Sequence, residues 1–544
     1  VSLAKTQPLR FSPAGLCDSL DETDTNPGGC AVLQNLIPDP STQNIWTCRP
    51  ASLLATAFAG FTTPGVISVF KIVGSYVYGL VASGATAGYD QPFVYNLAAS
   101  AFVALTGVTS SNVPATQGTT GEWTPPTMDI VGTYVVVTHP GFSGVTDYIG
   151  WFNISNPAAP VWAAGNLTSG THISFTVVPA WVCQFNGRAF YGINPPTGQP
   201  SVIMSDSLNP LNCSNAGQAL TFYDNKPLTA GVGLPLNNQL GGIIQALLVF
   251  KGNSNIYQVT GDYAASSIAI NTLNSAVGTL APRSIAATPV GVAFLAADGI
   301  RIIDFNGAVS DPIGSGGAGV VVPFLTPVAY SRVSAACNAQ VYRISVQNSR
   351  VAGTPYQEYW YDIVRKVWSG PHTLPAGMIG VYGSEFVVAP VGVPAQLFLS
   401  KVVPDSTTSS TENGAPMLAV FQTTVVRDNE QMAMSEIAEM QVKTTSVASV
   451  TGIQVSALDE NGSVLNTVFY AFAAVATLWG SFRWGDALWG GAQSGVYPRP
   501  ISFNAPVVYN RLAVNVAFVC GNGFQIGDIF IRRRVLGYMQ KEVG

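Results

Sequence analysis

Residues 246–262, ALLVFKGNSNIYQVTGD, join an apolar run to a strand that alternates outward again, across the polar turn Lys251-Gly252-Asn253-Ser254-Asn255. Period-two alternation around a glycine or asparagine turn is the signature of a β-hairpin. The pattern recurs in ISVFKIVGSYVYGLVA (67–82), MDIVGTYVVVTH (128–139), AWVCQFNGRAFYGIN (180–194), VAFLAADGIRIIDFNG (292–307), SAACNAQVYRISVQ (334–347) and MIGVYGSEFVVAPV (378–391). Asn186-Gly187 and Asp298-Gly299 supply the positive φ that tight hairpins need. A chain built by repeating one hairpin must bury each copy against the next.

A second element follows several hairpins. In PFVYNLAASAFVAL (92–105), GWFNISNPAAPVW (150–162) and EYWYDIVRKVWSG (358–370), an aromatic strand ends in Asn96, Asn153 or Asp362 and a large apolar residue returns after a short turn. A side-chain oxygen at that position can accept from the turn backbone. Trp162 and Trp368 would pack between neighbouring sheets. Two hairpins make a four-stranded unit, and turns spaced about 40 to 65 residues apart suit propeller blades with insertions. The expectation is an all-β chain, a β-propeller of about six to seven blades, with stacked sandwiches as the competing arrangement.

Charged residues make up 10% of the 544 and hydrophobic ones 47%, against about a quarter charged in ordinary soluble domains. A membrane span would need roughly 20 apolar residues in a row, and the best candidate, 51–70, is broken by Thr62, Thr63, Pro64 and Gly65. No membrane insertion is expected, nor a secretory signal in VSLAKTQPLRFSPAG. Subunit contacts explain the missing charge, because interface cores are depleted of it, so a homo-oligomer is expected. Seven scattered cysteines without CxxC spacing argue against a disulfide framework or zinc site. The net charge of −5 disfavours DNA binding as the main task, which needs a basic stripe.

The ends differ from the middle. Residues 1–60 read as an N-terminal segment contributing to a platform, 61–401 as the propeller, 402–416 as a Ser/Thr-rich hinge, and 417–544 as a β-sandwich-like platform domain. Trp46 and Arg49 in WTCRP, Trp479, Trp484 and Trp489 in LWGSFRWGDALWGG, and Arg532 and Arg534 in IRRRV are candidate subunit-interface or platform anchors. Arg532 and Arg534 share one strand face, where an inter-subunit carboxylate is a more natural partner than phosphate.

Catalytic signals are thin. His139, His172 and His372 lie far apart, without a visible nucleophile. The loop LDETDTNPGG (Asp21, Glu22, Asp24, Asn26) misses the ligand spacing of a calcium loop. Asp262, Asp304 and Asp362 would have to converge in a propeller mouth to serve as glycosidase acids. No Walker, Rossmann or G-x-S-x-G motif occurs. No catalytic residue, metal site or cofactor is assigned.

FSPAGLCDSLDETDTNPGGCAVLQNLIPDPSTQNIWTCRPA, the 246–262 hairpin with AVGTLAPRSIAATPVGVAFLAADGIRIID, and the terminal RWGDALWGG and RRRVLGY together resemble the tail nozzle proteins of short-tailed bacteriophages, also called tail tubular protein B or packaged-DNA stabilisation hub protein. The resemblance implies a structural virion protein, assembled in the host cytoplasm and located in the tail. It implies a hexameric ring below the portal and adaptor proteins, with fibres or spikes as further partners and genomic DNA passing through the channel on ejection. No enzymatic residue comes with it. The alternative is a glycan-binding or glycan-hydrolysing propeller on a virion or cell surface.

Overall fold

In the computed structural model, the 246–262 hairpin is the central strand pair of a four-stranded sheet. Ile243–Lys251 pairs with Asn255–Asp262, Phe250 opposite Ile256, around Gly252 at φ +58°. The structure describes residues 6–17, 29–58, 64–83, 88–116, 124–167, 173–237, 242–262, 267–314, 327–349, 352–374, 376–391, 395–402, 410–427, 433–445, 447, 449–472 and 496–538. No helix among them is long and apolar enough to cross a membrane.

Seven sheets follow one another along the chain, at 64–102, 127–165, 181–221, 228–274, 286–304, 334–372 and 376–400. The first strand of each touches the first strand of the next in cyclic order, with the short turn Pro282–Ser284 linking the fourth sheet to those after it, and Ala376–Tyr382 returns to Pro64–Val73. That closed ring of sheets is a β-propeller. Six blades hold four strands and the fifth holds three among the described residues. The sequence hairpins are not all the same blade element. Those at 246–262 and 292–307 are second and third strands, and the other five are first and second.

Each turn residue acts as its chemistry requires. Asn96 Oδ1 accepts from the backbone N–H of Ala98 and Ala99 at 3.0 and 3.1 Å, Asn153 Oδ1 from Ser155 at 3.1 Å, and Asp362 Oδ1 from Arg365 at 2.8 Å. Trp162 and Trp368 are buried. Innermost strands would expose unpaired N–H groups to the axis, and side chains of the preceding blade satisfy several. Thr127 Oγ1 accepts from Val182 N–H at 2.9 Å, Asp129 Oδ2 from Gln184 N–H at 2.6 Å, and Ser334 Oγ from Ile379 N–H at 3.0 Å. Close blade packing also fixes two glycines. A Cβ on Gly231 would lie 2.5 Å from the Trp181 ring, and one on Gly233 would lie 2.0 Å from the Phe185 ring.

The ring closes with a strand from the other end of the chain. Ser52–Ala57 pairs antiparallel with Gln396–Ser400 as the fourth strand of blade seven, so the propeller begins before the boundary drawn at residue 60. Thr411–Glu412 and Ala415–Pro416, inside the segment read as a hinge, form a small hairpin beside it. The reason is pairing between residues more than 300 positions apart, which no local pattern reports.

The platform is two sheets packed face to face. One joins Thr6–Phe11, Leu36–Pro38 and Trp46–Cys48 to Ala433–Thr444, Tyr497–Ile501, Val508–Tyr509 and Gln525–Tyr538. The other runs Gly29–Gln34, Leu418–Thr423, Arg511–Val519, Gly452–Leu458, Val464–Ala471. Trp46, Phe421, Met440, Val516 and Ile529 meet in the core between them. Leu33 also pairs with Gly370 of blade six, so one continuous sheet ties platform to propeller.

Candidate functional site

The propeller axis holds a cavity of about 430 Å³ lined by six blades and by Pro282, Arg283 and Ile285, which lead into the fifth. Its ionisable lining is Lys71, Asp129, Arg283 and the thiol of Cys183. Lys71 Nζ lies 2.7 Å from Asp129 Oδ1, and that carboxylate raises the lysine's pKa. Asp129 is the one carboxylate on this wall. Arg283 reaches from the Pro282–Ser284 turn to donate to Ser68 O of blade one at 2.8 Å, Met378 Sδ of blade seven at 3.0 Å and Ser331 O at 2.6 Å. It thereby braces the axis between this cavity and a second of about 220 Å³ that Pro282 and Ser331 also line.

The expected convergence of aspartates does not occur. Asp304 accepts from Asn306 and Ala308 N–H, and Asp362 from the Arg365 backbone and guanidinium. Both cap turns and neither lines the axial cavity, while the Asp262 side chain lies outside the described residues. Hydrolysis by two flanking carboxylates needs a second acid here, and the described wall offers none.

His139 and His372 have structural roles. His139 is buried, with Nδ1 accepting from Gly141 N–H at 2.9 Å and Nε2 3.0 Å from Asp90. His372 Nδ1 accepts from Asn35 N–H at 3.1 Å, which leaves its proton on Nε2, facing Ser369 Oγ at 3.2 Å. An imidazole that donates to a serine cannot deprotonate it, so this pair is no nucleophile–base couple. His172 lies outside the described residues, as does the 21–26 loop.

His372 belongs to the largest buried polar network, where propeller and platform join. Arg343 and Glu358, both about 1% exposed, form an ion pair, with Arg343 Nε 2.8 Å from Glu358 Oε1. Trp360 Nε1 donates to the same oxygen at 2.5 Å, and the guanidinium stacks 4.4 Å from the Trp360 ring centroid. Arg49, equally buried, donates to Asn35 Oδ1 at 2.8 Å and Ser52 Oγ at 3.1 Å and pairs with Glu412. Burial lowers the Arg49 pKa to about 10 and also lowers that of Arg343, although Glu358 pulls both the other way.

Burial and the two guanidinium groups hold the His372 pKa well below 6.5. Below pH 6.5 the unfolded chain then binds a proton that the folded chain refuses. Stability is complete above that pH and falls by about 1.4 kcal/mol per unit as pH drops through it. Urea unfolding of wild type and His372→Gln at pH 7.0, 6.0 and 5.0 should show this slope in the wild type and lose it in the variant. Equal slopes would remove the assignment.

The candidate anchors fall into two groups. Trp46 is a buried platform residue, and Arg49 is the joint residue just described. Arg532 Nη1 lies 3.1 Å from Glu439 and Arg534 Nη1 3.5 Å from Glu436, both exposed pairs across neighbouring strands of one subunit. These carboxylates belong to the same subunit, and such surface pairs contribute at most about 1 kcal/mol. Trp479, Trp484 and Trp489 lie outside the described residues.

The two outer faces of the platform differ sharply in charge. The face bearing Arg532 and Arg534 also carries Arg10, Lys443 and Asp528, joined at 2.9 Å. The opposite sheet turns Val32, Gln34, Leu418, Val420, Gln422, Asn515, Ala517, Val519, Gln454, Ser456, Thr467 and Phe469 outward by register, none of them charged, and carries charge at one end, where Arg511 on the same strand face pairs with Glu460 at 2.7 Å. Leu418, Val519 and Phe469 are 50%, 48% and 60% exposed. The polar members pair laterally, Ser456 with Thr467 at 2.9 Å and Asn515 with Gln422 at 3.3 Å. Sequence reasoning missed this face because it is assembled from five strands. Arg283 and the Arg343–Glu358 pair gave no motif.

No family model and no curated protein matches the sequence. Among solved structures, SapL1 lectin in complex with alpha methyl fucoside is similar at 16% identity and a TM-score of 0.31, over 57% of this chain and 95% of the lectin. The six-bladed Aleuria aurantia lectin is similar at 13% identity and TM-score 0.30, over 64% and 96%. A family 43 arabinoxylan arabinofuranohydrolase from Bacillus subtilis is similar at 11% identity and TM-score 0.25, over 89% and 99%. The class the architecture itself defines is an all-β propeller protein with a sandwich platform.

Proposed function

We propose that the chain is a structural subunit of a ring, the nozzle of a short-tailed bacteriophage tail, held below portal and adaptor proteins. The observation that carries this reading is the charge-free centre of the outer platform face, around Leu418, Val519 and Phe469, with the Arg511–Glu460 pair at one end of it. An exposed sheet face in a soluble sandwich normally alternates polar residues outward, as the opposite face does here. Removing charge from the centre of one face only fits a surface that a sister subunit covers. DNA would pass along the axis of the ring and not along the propeller axis, which Arg283 crosses. A wall of mildly acidic subunits suits a conduit, since one that neutralised phosphates would retain the genome.

The competing reading is sugar binding without hydrolysis. Tyr223, 85% exposed beside Asp224 and Asn225 in the loop between blades three and four, is an aromatic surface on which a sugar ring could stack. Negative-stain images and a glycan array on the same preparation separate the two. Six-subunit rings without glycan signal are expected. Single particles with a selective glycan signal would overturn the ring.

A further inference from the structure

Arg283 has no carboxylate partner among the described residues. Its Nη1 donates to Ser68 O and Met378 Sδ, its Nη2 to Ser331 O, and its Nε, shut off from water, bonds nothing. Buried charges in proteins are ordinarily paired or bind ions. The other two charges on the cavity wall, Lys71 and Asp129, cancel in their own ion pair. The wall therefore carries one uncompensated positive charge. Burial pulls the Arg283 pKa to about 10, so the group stays protonated at neutral pH.

We propose that this axial cavity binds a small oxyanion, a carboxylate or a phosphate, on the guanidinium of Arg283. The guanidinium lines the cavity, and its charge draws an oxyanion to that wall, with the Nη2–H not used by Ser331 O as the available donor. About 430 Å³ is within the range of small-molecule sites and leaves room for ordered water around the ion. Carboxylate and phosphate share the recognition, and the probes tell them apart. Because the site lies inside one propeller, it is independent of ring assembly.

The experiment uses full-length protein in chloride buffer of fixed ionic strength. Inorganic phosphate and acetate are titrated separately to 10 mM, with thermal unfolding followed in both arms and phosphorus NMR line width in the phosphate arm. A saturable rise in Tm of a few degrees with at least one probe is expected, and its identity names the chemistry. Arg283→Met should abolish the rise. Because that variant removes three hydrogen bonds and can fail to fold, Met378→Glu provides a second readout. It places an internal carboxylate where the thioether now sits 3.0 Å from Nη1, so Tm should rise in chloride alone and the response to added anion should vanish. No saturable response in wild type, or an undiminished response in either variant, overturns the proposal.

Discussion

Replacing Glu358 with glutamine should destabilise the protein by about 3–5 kcal/mol, the cost of leaving a buried charge without its partner. The substitution keeps the side chain's shape and an acceptor for Trp360, and removes only the negative charge. Arg343, about 1% exposed, would then face Arg49 across the same buried network. Burial already outweighs the attraction of Glu358 in setting the Arg343 pKa, so nothing nearby replaces that attraction. The double variant Arg343→Met/Glu358→Met should recover most of the loss, because exchanging a buried pair for apolar groups of similar size is often neutral or better. Urea unfolding followed by tryptophan fluorescence measures both. A single variant within about 1 kcal/mol of wild type would show that water reaches the pair.

The second large effect is expected from the chain's own beginning. Removing residues 1–58 takes the fourth strand from blade seven and leaves Gln396–Ser400 as an open outer edge of that blade. It also strips Phe11, Leu33, Leu36 and Trp46 from the platform core. Truncating one large buried side chain typically costs about 3–5 kcal/mol, against roughly 5–15 kcal/mol of total stability. Losing several together should leave no folded protein. The truncated chain should express as insoluble material, and the separately produced 1–58 segment, co-expressed with it, should restore solubility. Soluble, cooperatively unfolding protein without that segment would show that the propeller closes by another route.

Much of the propeller is legible in the sequence because its signals are local. Asn-Gly and lone glycine turns, alternation of period two, and the Asn96, Asn153 and Asp362 caps each involve a few neighbouring residues. The same locality explains why Asp304 and Asp362 do not meet at the axis. Asp304, followed by Phe305-Asn306-Gly307, is a turn cap, the role already assigned to Asp362, and a cap at a blade end is spent on its own backbone. What stayed hidden depends on distant pairing: the closing strand Ser52–Ala57, the bridge from Leu33 to Gly370, and an arginine from the Pro282–Ser284 turn that hydrogen-bonds blades one and seven. Arg532 and Arg534 share a face as their spacing demands, yet what lies opposite them depends on strand Ala433–Thr444, about a hundred residues away.

Assembly through the charge-free centre of the platform face is tested most directly by sedimentation velocity of three full-length proteins at matched concentrations. Wild type and Arg532→Glu, altered on the charged face, should both sediment as a ring of six 57.0 kDa chains. Leu418→Lys/Val519→Lys, which puts two charges on adjacent exposed positions, should sediment as a monomer with an unchanged unfolding curve. Rings from the double-lysine protein, or no association of the wild type, would contradict it.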